Sequence, residues 1–313
     1  MGDATMRLNP LVSVCVFAYN HEGYLTEALE SVLSQKVGFP FEVIIAEDYS
    51  SDGTLHVAQD YQARYPDLIR IEQSGRKDKL LINGHQTGRY NLLNVLHACR
   101  GRYIAFLDGD DYWIDSEKLQ KQVDFMEAHE GCSLIFHNAY LVRGEGSTAR
   151  GETYLPAGFA RDRDMKQLLV EMNYVQTSSV MFRNNTPQEF PRIFYTCMFG
   201  DWPLHVYNLN FGYPEYMHEV MSVYRIGTGI WSRKKRTDQM KGILEFYDQV
   251  TGIMPKELLH LIPSAQARNN RITAREYMKE GRPVYYCLHM VMAVCYWLRG
   301  KLARRQAGMF EER

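Results

Sequence analysis

Residues 103–113 read YIAFLDGDDYW, and the order of residues within them decides the fold. The run from Tyr103 to Leu107 is apolar, bulky and too short for a helix, so it reads as a buried strand. Asp108, Gly109, Asp110 and Asp111 follow at once. In an open α/β sheet the carboxyl edge of the strands is where ligands bind, and idle charge there is costly. Neighbouring carboxylates repel one another unless a cation neutralises them, and hard oxygen donors select Mg2+ or Mn2+ over thiophilic metals. Asp108 and Asp110 are therefore candidate ligands for a cation that bridges to a diphosphate. The other reading of the same residues is an acidic turn that caps the next helix, with Asp115 and Ser116 sharing the task.

Working outward, Leu11 to Ala18, Phe41 to Ala46 and Leu68 to Glu72 are further short runs rich in Val, Ile and Phe. Helical stretches separate them: Tyr24 to Gln35, Thr54 to Tyr65 behind a Ser51-Asp52-Gly53 turn, and Gln86 to Cys99. Such alternation predicts an α/β fold with a mostly parallel sheet and helices on both faces. Lys118 to His129 reads as another amphipathic helix, Ser133 to His137 and Ser178 to Phe182 as strands, and Gly144 to Gly158 as a surface loop. Past the basic run Arg233 to Arg236 the pattern turns helical, which predicts a main domain over 1–235 and a helical C-terminal extension over 236–313.

With 36 basic against 37 acidic side chains and a formal net charge of -1, no global field recruits nucleic acid. The six cysteines lack metal-site spacing and several lie in apolar runs, which suits reduced thiols in the cytoplasm. Met1 to Pro10 has no basic and apolar regions of the secretory kind. Near the other end Val284 to Leu298 is apolar apart from His289 and precedes Arg299, Lys301, Arg304 and Arg305. At ~1.5 Å per residue that run falls short of a ~30 Å hydrocarbon core. It packs on the domain or lies on the inner face of a membrane as a peripheral anchor.

Two more strand ends carry chemistry. Asp48 follows Phe41 to Ala46 and its carboxylate suits the imide N–H of uracil or thymine, although such residues also cap helices. Tyr19 and Asn20, just past the first strand, offer an aromatic face and an amide to a base. No Gly-x-Gly-x-x-Gly or P-loop follows that strand, which argues against a dinucleotide or ATP cradle.

Taken together, VSVCVFAYNHEGYLTEALESVLSQ, FEVIIAEDYSSDGT and ACRGRYIAFLDGDDYW, in that order and spacing, resemble the inverting family 2 glycosyltransferases of the GT-A fold. TSSVMF, FGDWPLH and VMSVYRIGTGIWS continue the resemblance to about residue 232. It implies transfer of a hexosyl group from a UDP- or dTDP-sugar donor to a carbohydrate or lipid-linked acceptor, with a Mn2+ or Mg2+ cofactor, in surface polysaccharide assembly. By the same resemblance Tyr19 and Asp48 hold the base, and Ala18, Asn20, Glu22 and Arg89 line the nucleotide pocket. Asp108 and Asp110 form the Asp-x-Asp metal motif, and Asp201 in GDWP is the catalytic base. Asp111, Trp113 and Trp202 are expected on the sugar and acceptor side, although such aromatics also serve as core, and Arg233 to Arg236 read either as a lid over the diphosphate or as a solvated charge run. In place of the histidine that relatives often carry after Tyr-Arg, Tyr224, Arg225 and Ile226 lead straight to Gly227.

Two other classes compete. A sugar-1-phosphate nucleotidyltransferase needs a Gly-rich basic loop after its first strand, which Phe17 to Gly23 lacks. A non-catalytic scaffold on a membrane surface would have no reason to keep every acidic candidate.

Overall fold

A computed structural model of the chain describes residues 9–74, 79–143, 151–159, 164–227 and 234–311, with side chains to 303. Two units emerge: Met1–Phe159 with Val175–Phe190 and Phe211–Thr228, and Ala160–Tyr174 with Pro191–Asn210 and Gly229–Arg313. The two units interleave along the chain.

The first unit runs β1 (Val12–Ala18), α1 (Leu25–Leu33), β2 (Phe41–Glu47), α2 (Thr54–Arg64), β3 (Ile69–Glu72), β4 (Leu80–Ile82), β5 (His85–Thr87), α3 (Arg89–Ala98), β6 (Tyr103–Asp108), β7 (Tyr112–Trp113), α4 (Lys118–Ala128) and β8 (Cys132–Arg143). α5 (Met165–Glu171) belongs to the second unit, β9 (Met181–Arg183) to the first, and α6 (Ile193–Thr196) and α7 (Asp201–Asn208) to the second. β10 (Tyr213–Ile226) completes the first unit; α8 (Arg236–Gln249), α9 (Ile262–Lys279) and α10 (Pro283–Glu311) complete the second.

Eight strands form one sheet in the order β3-β2-β1-β6-β9-β8-β10-β7. β3, β2, β1 and β6 run parallel, β9 is antiparallel to both its neighbours, and β7 is antiparallel to β10. The expected α/β architecture is present, with an antiparallel insertion. The central strands are buried along most of their length, and Val14, Val16, Val43, Ile45, Ala105 and Leu107 pack with Leu25, Leu29 and Val32 of α1. Continuous Val/Ile runs make strands of this kind because both faces are covered.

Four elements differ from the sequence reading. Gln86 to Cys99 splits into β5 and α3 around Gly88, and β4 and β5 form a separate hairpin. Its turn places Asn83 and Gly84 at φ 52° and 76°, the left-handed region. The strand expected from Ser178 is a 3-10 turn at Thr177–Ser179 followed by β9. β10, which the sequence did not disclose, spans 14 residues and shifts register against β8 three times. Of the expected 144–158 loop, residues 144–150 lie outside the described residues, and Thr153 bridges to Tyr140.

Candidate functional site

Strand order reverses between β1 and β6: β2 and β3 lie to one side of β1 and β6 to the other. At such a switch point the loops leaving two strands diverge and open a crevice at the carboxyl edge. Registers align the ends there, Ala18 with Glu47 and Phe17 with Asp108. Tyr19 to Glu22, Asp48 to Asp52 and Asp108 to Asp111 therefore share one edge.

The first two loops are clipped together. Asn20, at φ 55°, accepts the backbone N–H of Ser51 on its amide oxygen at 2.8 Å, and its own N–H donates to Ser50 Oγ. Glu22 accepts the Gly53 N–H at 3.0 Å while its own N–H donates to Asp52. A Cβ on Gly53 would run into the Glu22 carboxylate, which would have to shift. Asp52 caps the start of α2 through the Thr54 N–H, and Thr54 Oγ1 accepts the His21 N–H. Asn20 and Glu22 thus shape this edge through the neighbouring backbone, and Ala18 is buried at the end of β1.

Asp48 lies beside Tyr19 through a residue the sequence reading missed. Lys79 Nζ is 2.9 Å from Asp48 Oδ2 and 3.2 Å from the centre of the Tyr19 ring. Burial pushes the Asp48 carboxyl above its usual range, Lys79 pulls it back, and Glu47 adds an upward push. Asp48 Oδ2 also approaches the N-terminus of α3, 3.1 Å from where a Cβ on Gly88 would stand, where the helix dipole favours an anion. Arg89 begins that helix as a buried residue.

At β6 the turn is built by backbone contacts. Gly109 donates its N–H to Phe17 O at 2.7 Å, and a Cβ there would meet Phe17 O and His21 Nδ1 at 2.9 Å. His21 Nε2 stands 3.8 Å from Asp110 Oδ1, and its buried Nδ1 has no hydrogen-bond partner among the described residues. Arg225, at the end of β10, donates from its guanidinium to Asp110 O and to Glu27, and lies over the rings of Tyr24 and Tyr112. This arginine braces the turn.

Asp111 faces inward. It is fully buried, taking the Arg225 backbone N–H at 2.9 Å on one oxygen and the Gln176 amide at 2.8 Å on the other. Burial, then repulsion from Asp110 and Asp108, drives its carboxyl well above the usual range. A third aspartate in sequence is thus turned inward by the tight turn. Trp113 is likewise internal: its indole donates to Ser178 O at 2.8 Å, and the Lys118 ammonium sits 4.0 Å from its ring centre. Trp202 is stacked 3.9 Å from Phe246 and donates to Leu169 O within the core of the second unit. Both tryptophans are buried, Trp113 at 4 % and Trp202 at 2 % exposure.

Among the described residues no three His, Cys, Asp or Glu side chains converge on a ready-made metal cage. Two carboxylates at a strand end still suit Mg2+ or Mn2+, which fill their remaining positions with water and substrate phosphates.

In the second unit Asp201 opens α7 and accepts the Asn173 amide at 2.7 Å. Asn173 Oδ1 lies 3.4 Å from Nδ1 of His205, one helical turn along. Burial lowers the His205 pKa to about 4 against the pull of Asp201, so that imidazole is neutral near pH 7. Of the basic run, Arg233 lies outside the described residues, while Lys235 directly precedes α8 and Arg236 begins it.

A family model described as glycosyl transferase family 2 matches residues 13–186. An uncharacterized protein of Mycobacterium tuberculosis is 36% identical over 233 residues, 74% of this chain and 63% of the relative. The chain therefore spans about 63% of that relative's length. TuaG of Bacillus subtilis, a glycosyltransferase named for teichuronic acid biosynthesis, is 29% identical over 235 residues, 73% of this chain and 86% of TuaG. Among solved structures, S. aureus TarS 1-349 in complex with UDP-GlcNAc superposes with a TM-score of 0.57 at 16% identity, over 94% of this chain and 91% of TarS.

Proposed function

This chain belongs to glycosyl transferase family 2, and from that membership we propose that it moves a hexosyl group from a UDP- or dTDP-sugar to a carbohydrate or lipid-linked acceptor in surface polysaccharide assembly. One observation carries the reading: Tyr19, Asp48 and the Asp108-Gly109-Asp110 turn lie side by side at the carboxyl ends of three adjacent parallel strands. The TuaG name supports the polysaccharide setting, and the UDP-GlcNAc bound to TarS supports a uridine donor.

In this reading the Tyr19 ring stacks on the base and the Asp48 carboxylate accepts its imide N–H. Asp108 and Asp110 would hold Mn2+ or Mg2+, which when bound would supply positive charge against the diphosphate leaving group. Buried Asp111 fixes the turn that aims them. Asp201 takes the proton from the acceptor hydroxyl as that oxygen bonds to the anomeric carbon and the bond to the diphosphate breaks, giving inversion. Asn173 holds one carboxylate oxygen of Asp201 and so orients the base. In this reading the enzyme works in the cytoplasm, where nucleotide sugars are made.

The deciding experiment is a thermal-shift panel of UDP, dTDP, GDP, CDP and ADP, each with Mn2+, Mg2+ or EDTA. Stabilisation by UDP or dTDP that needs the metal supports the reading. No nucleotide response, or an adenine preference, sinks it.

A further inference from the structure

α10 turns one face to α9 and leaves the other uncovered. His289 stacks on Tyr277 and its Nδ1 lies 2.8 Å from Asn270 Oδ1. Ala293 is buried, and Gly300 comes so close to α9 that a Cβ there would stand 2.9 Å from Ser264 Oγ. On the opposite side Val284, Leu288, Val291, Cys295, Leu298 and Leu302 form one stripe. Their alternating steps of four and three residues keep them on a single face for about 27 Å of helix. These are well-exposed side chains, with Val284 at 77 %, Val291 at 62 % and Leu302 at 61 %. A continuous apolar face of that length marks a docking surface, since isolated exposed hydrophobics are normal and contiguous ones are not.

The charge around the stripe identifies its occupant. No Asp or Glu occurs between residues 281 and 310, whereas Arg282, Arg299, Lys301, Arg304 and Arg305 all do. At 100° per residue Arg299 and Lys301 fall on opposite flanks of the stripe near Leu302. Basic groups in this region lie over aromatic rings: Lys301 over Trp297 at 4.0 Å, Arg282 over Tyr285 at 4.1 Å and Arg299 over Tyr296 at 5.6 Å. A second copy of the same face would set basic rim against basic rim, and a protein partner would have to supply acidic groups to match. An anionic bilayer satisfies both features, taking the apolar stripe among acyl chains and the basic rim at its phosphates. No described helix is long and apolar enough to cross a membrane, so the contact is a helix lying in the interface plane.

We propose that the outward face of α10 docks this chain on a membrane carrying anionic phospholipid, with Val284 to Leu302 as the inserted stripe. The inference stands apart from sugar transfer, because none of these residues belongs to the nucleotide edge.

Flotation of the full chain with vesicles tests it, using phosphatidylcholine alone and phosphatidylcholine with phosphatidylglycerol. The expected result is binding to the anionic vesicles that weakens as salt rises. The triple variant Leu288→Glu, Val291→Glu, Leu298→Glu should lose at least about tenfold of that binding, and Arg299→Glu with Lys301→Glu should lose its dependence on phosphatidylglycerol. Because the changed side chains are exposed, melting temperature and the UDP thermal shift should stay at wild-type values, which separates loss of docking from loss of fold or donor site. Equal flotation of the triple variant overturns the proposal. So does a wild-type chain that ignores vesicles and instead dimerises in light scattering through a contact the triple variant breaks.

Discussion

The Lys79 ammonium lies 2.9 Å from the Asp48 carboxylate and, at the same time, 3.2 Å above the Tyr19 ring. An ammonium held that close occupies the volume a stacked base needs, so base binding has to move it aside. Cation–π attraction and a partly buried ion pair together hold it with about 1 kcal/mol. Lys79→Ala should therefore tighten UDP binding about fivefold in calorimetry. Weaker binding in Lys79→Ala would make the lysine a contact to the bound nucleotide instead.

Metal dependence should follow the side chain of Asp110 and leave its turn intact. Arg225 grips the backbone oxygen of Asp110 and Gly109 grips Phe17 O, so removing the carboxylate leaves those contacts in place. Asp110→Ala should lower kcat/KM by at least about 100-fold, roughly 2.7 kcal/mol. The UDP affinity of the variant should be the same in Mn2+ as in EDTA, where the wild type differs. An unchanged metal response removes Asp110 from the site.

Much of this was legible in the sequence, for a physical reason. β1, β2 and β6 are buried on both faces and so appear as unbroken Val/Ile/Phe runs, and a carboxylate directly after such a run can only stand at the sheet edge. What stayed hidden depends on contacts without a fixed spacing. β10 carries Glu215, His218 and Glu219 and shifts register, so it shows no clean alternation. Lys79 reaches Asp48 from a hairpin that the helical reading of Gln86 to Cys99 obscured. Asp111, expected on the sugar and acceptor side, follows Asp108 and Asp110 directly, yet the tight turn buries its carboxylate against Gln176 and the Arg225 backbone. Trp113 and Trp202 show that a large aromatic near a site motif reads equally well as wall or as core.

Acid should destabilise the chain through its buried imidazoles. Burial lowers the His205 pKa to about 4 and holds His137 well below the ordinary value, with the Lys118 charge adding to the effect at His137. An unfolded histidine titrates near ~6.5, so below that pH the unfolded chain binds protons that the folded chain refuses. Stability is thus full above ~6.5 and is lost as pH falls toward about 4, with His205 alone accounting for about 3 kcal/mol. Melting temperature should fall from pH 7 to 4.5, and less steeply in His205→Gln. Parallel slopes for the two proteins would show that His205 is not the responsible group.

The strictest test of the proposed chemistry falls on Asp201, which is both the first residue of α7 and the acceptor of the Asn173 amide. Asp201→Asn keeps an oxygen for Asn173 and nearly the same volume, so stability should change by less than about 1 kcal/mol. The amide cannot take a proton, and turnover should drop by about 100- to 10,000-fold, the range over which a general base contributes. UDP affinity should survive, since the base and diphosphate are assigned to Tyr19, Asp48, Asp108 and Asp110. A residue that only begins a helix gives the reverse pattern: a lower melting temperature with near-normal turnover per folded molecule. Measuring kcat, UDP affinity and melting temperature on one Asp201→Asn preparation separates the two, and near-wild-type kcat would take Asp201 out of the mechanism.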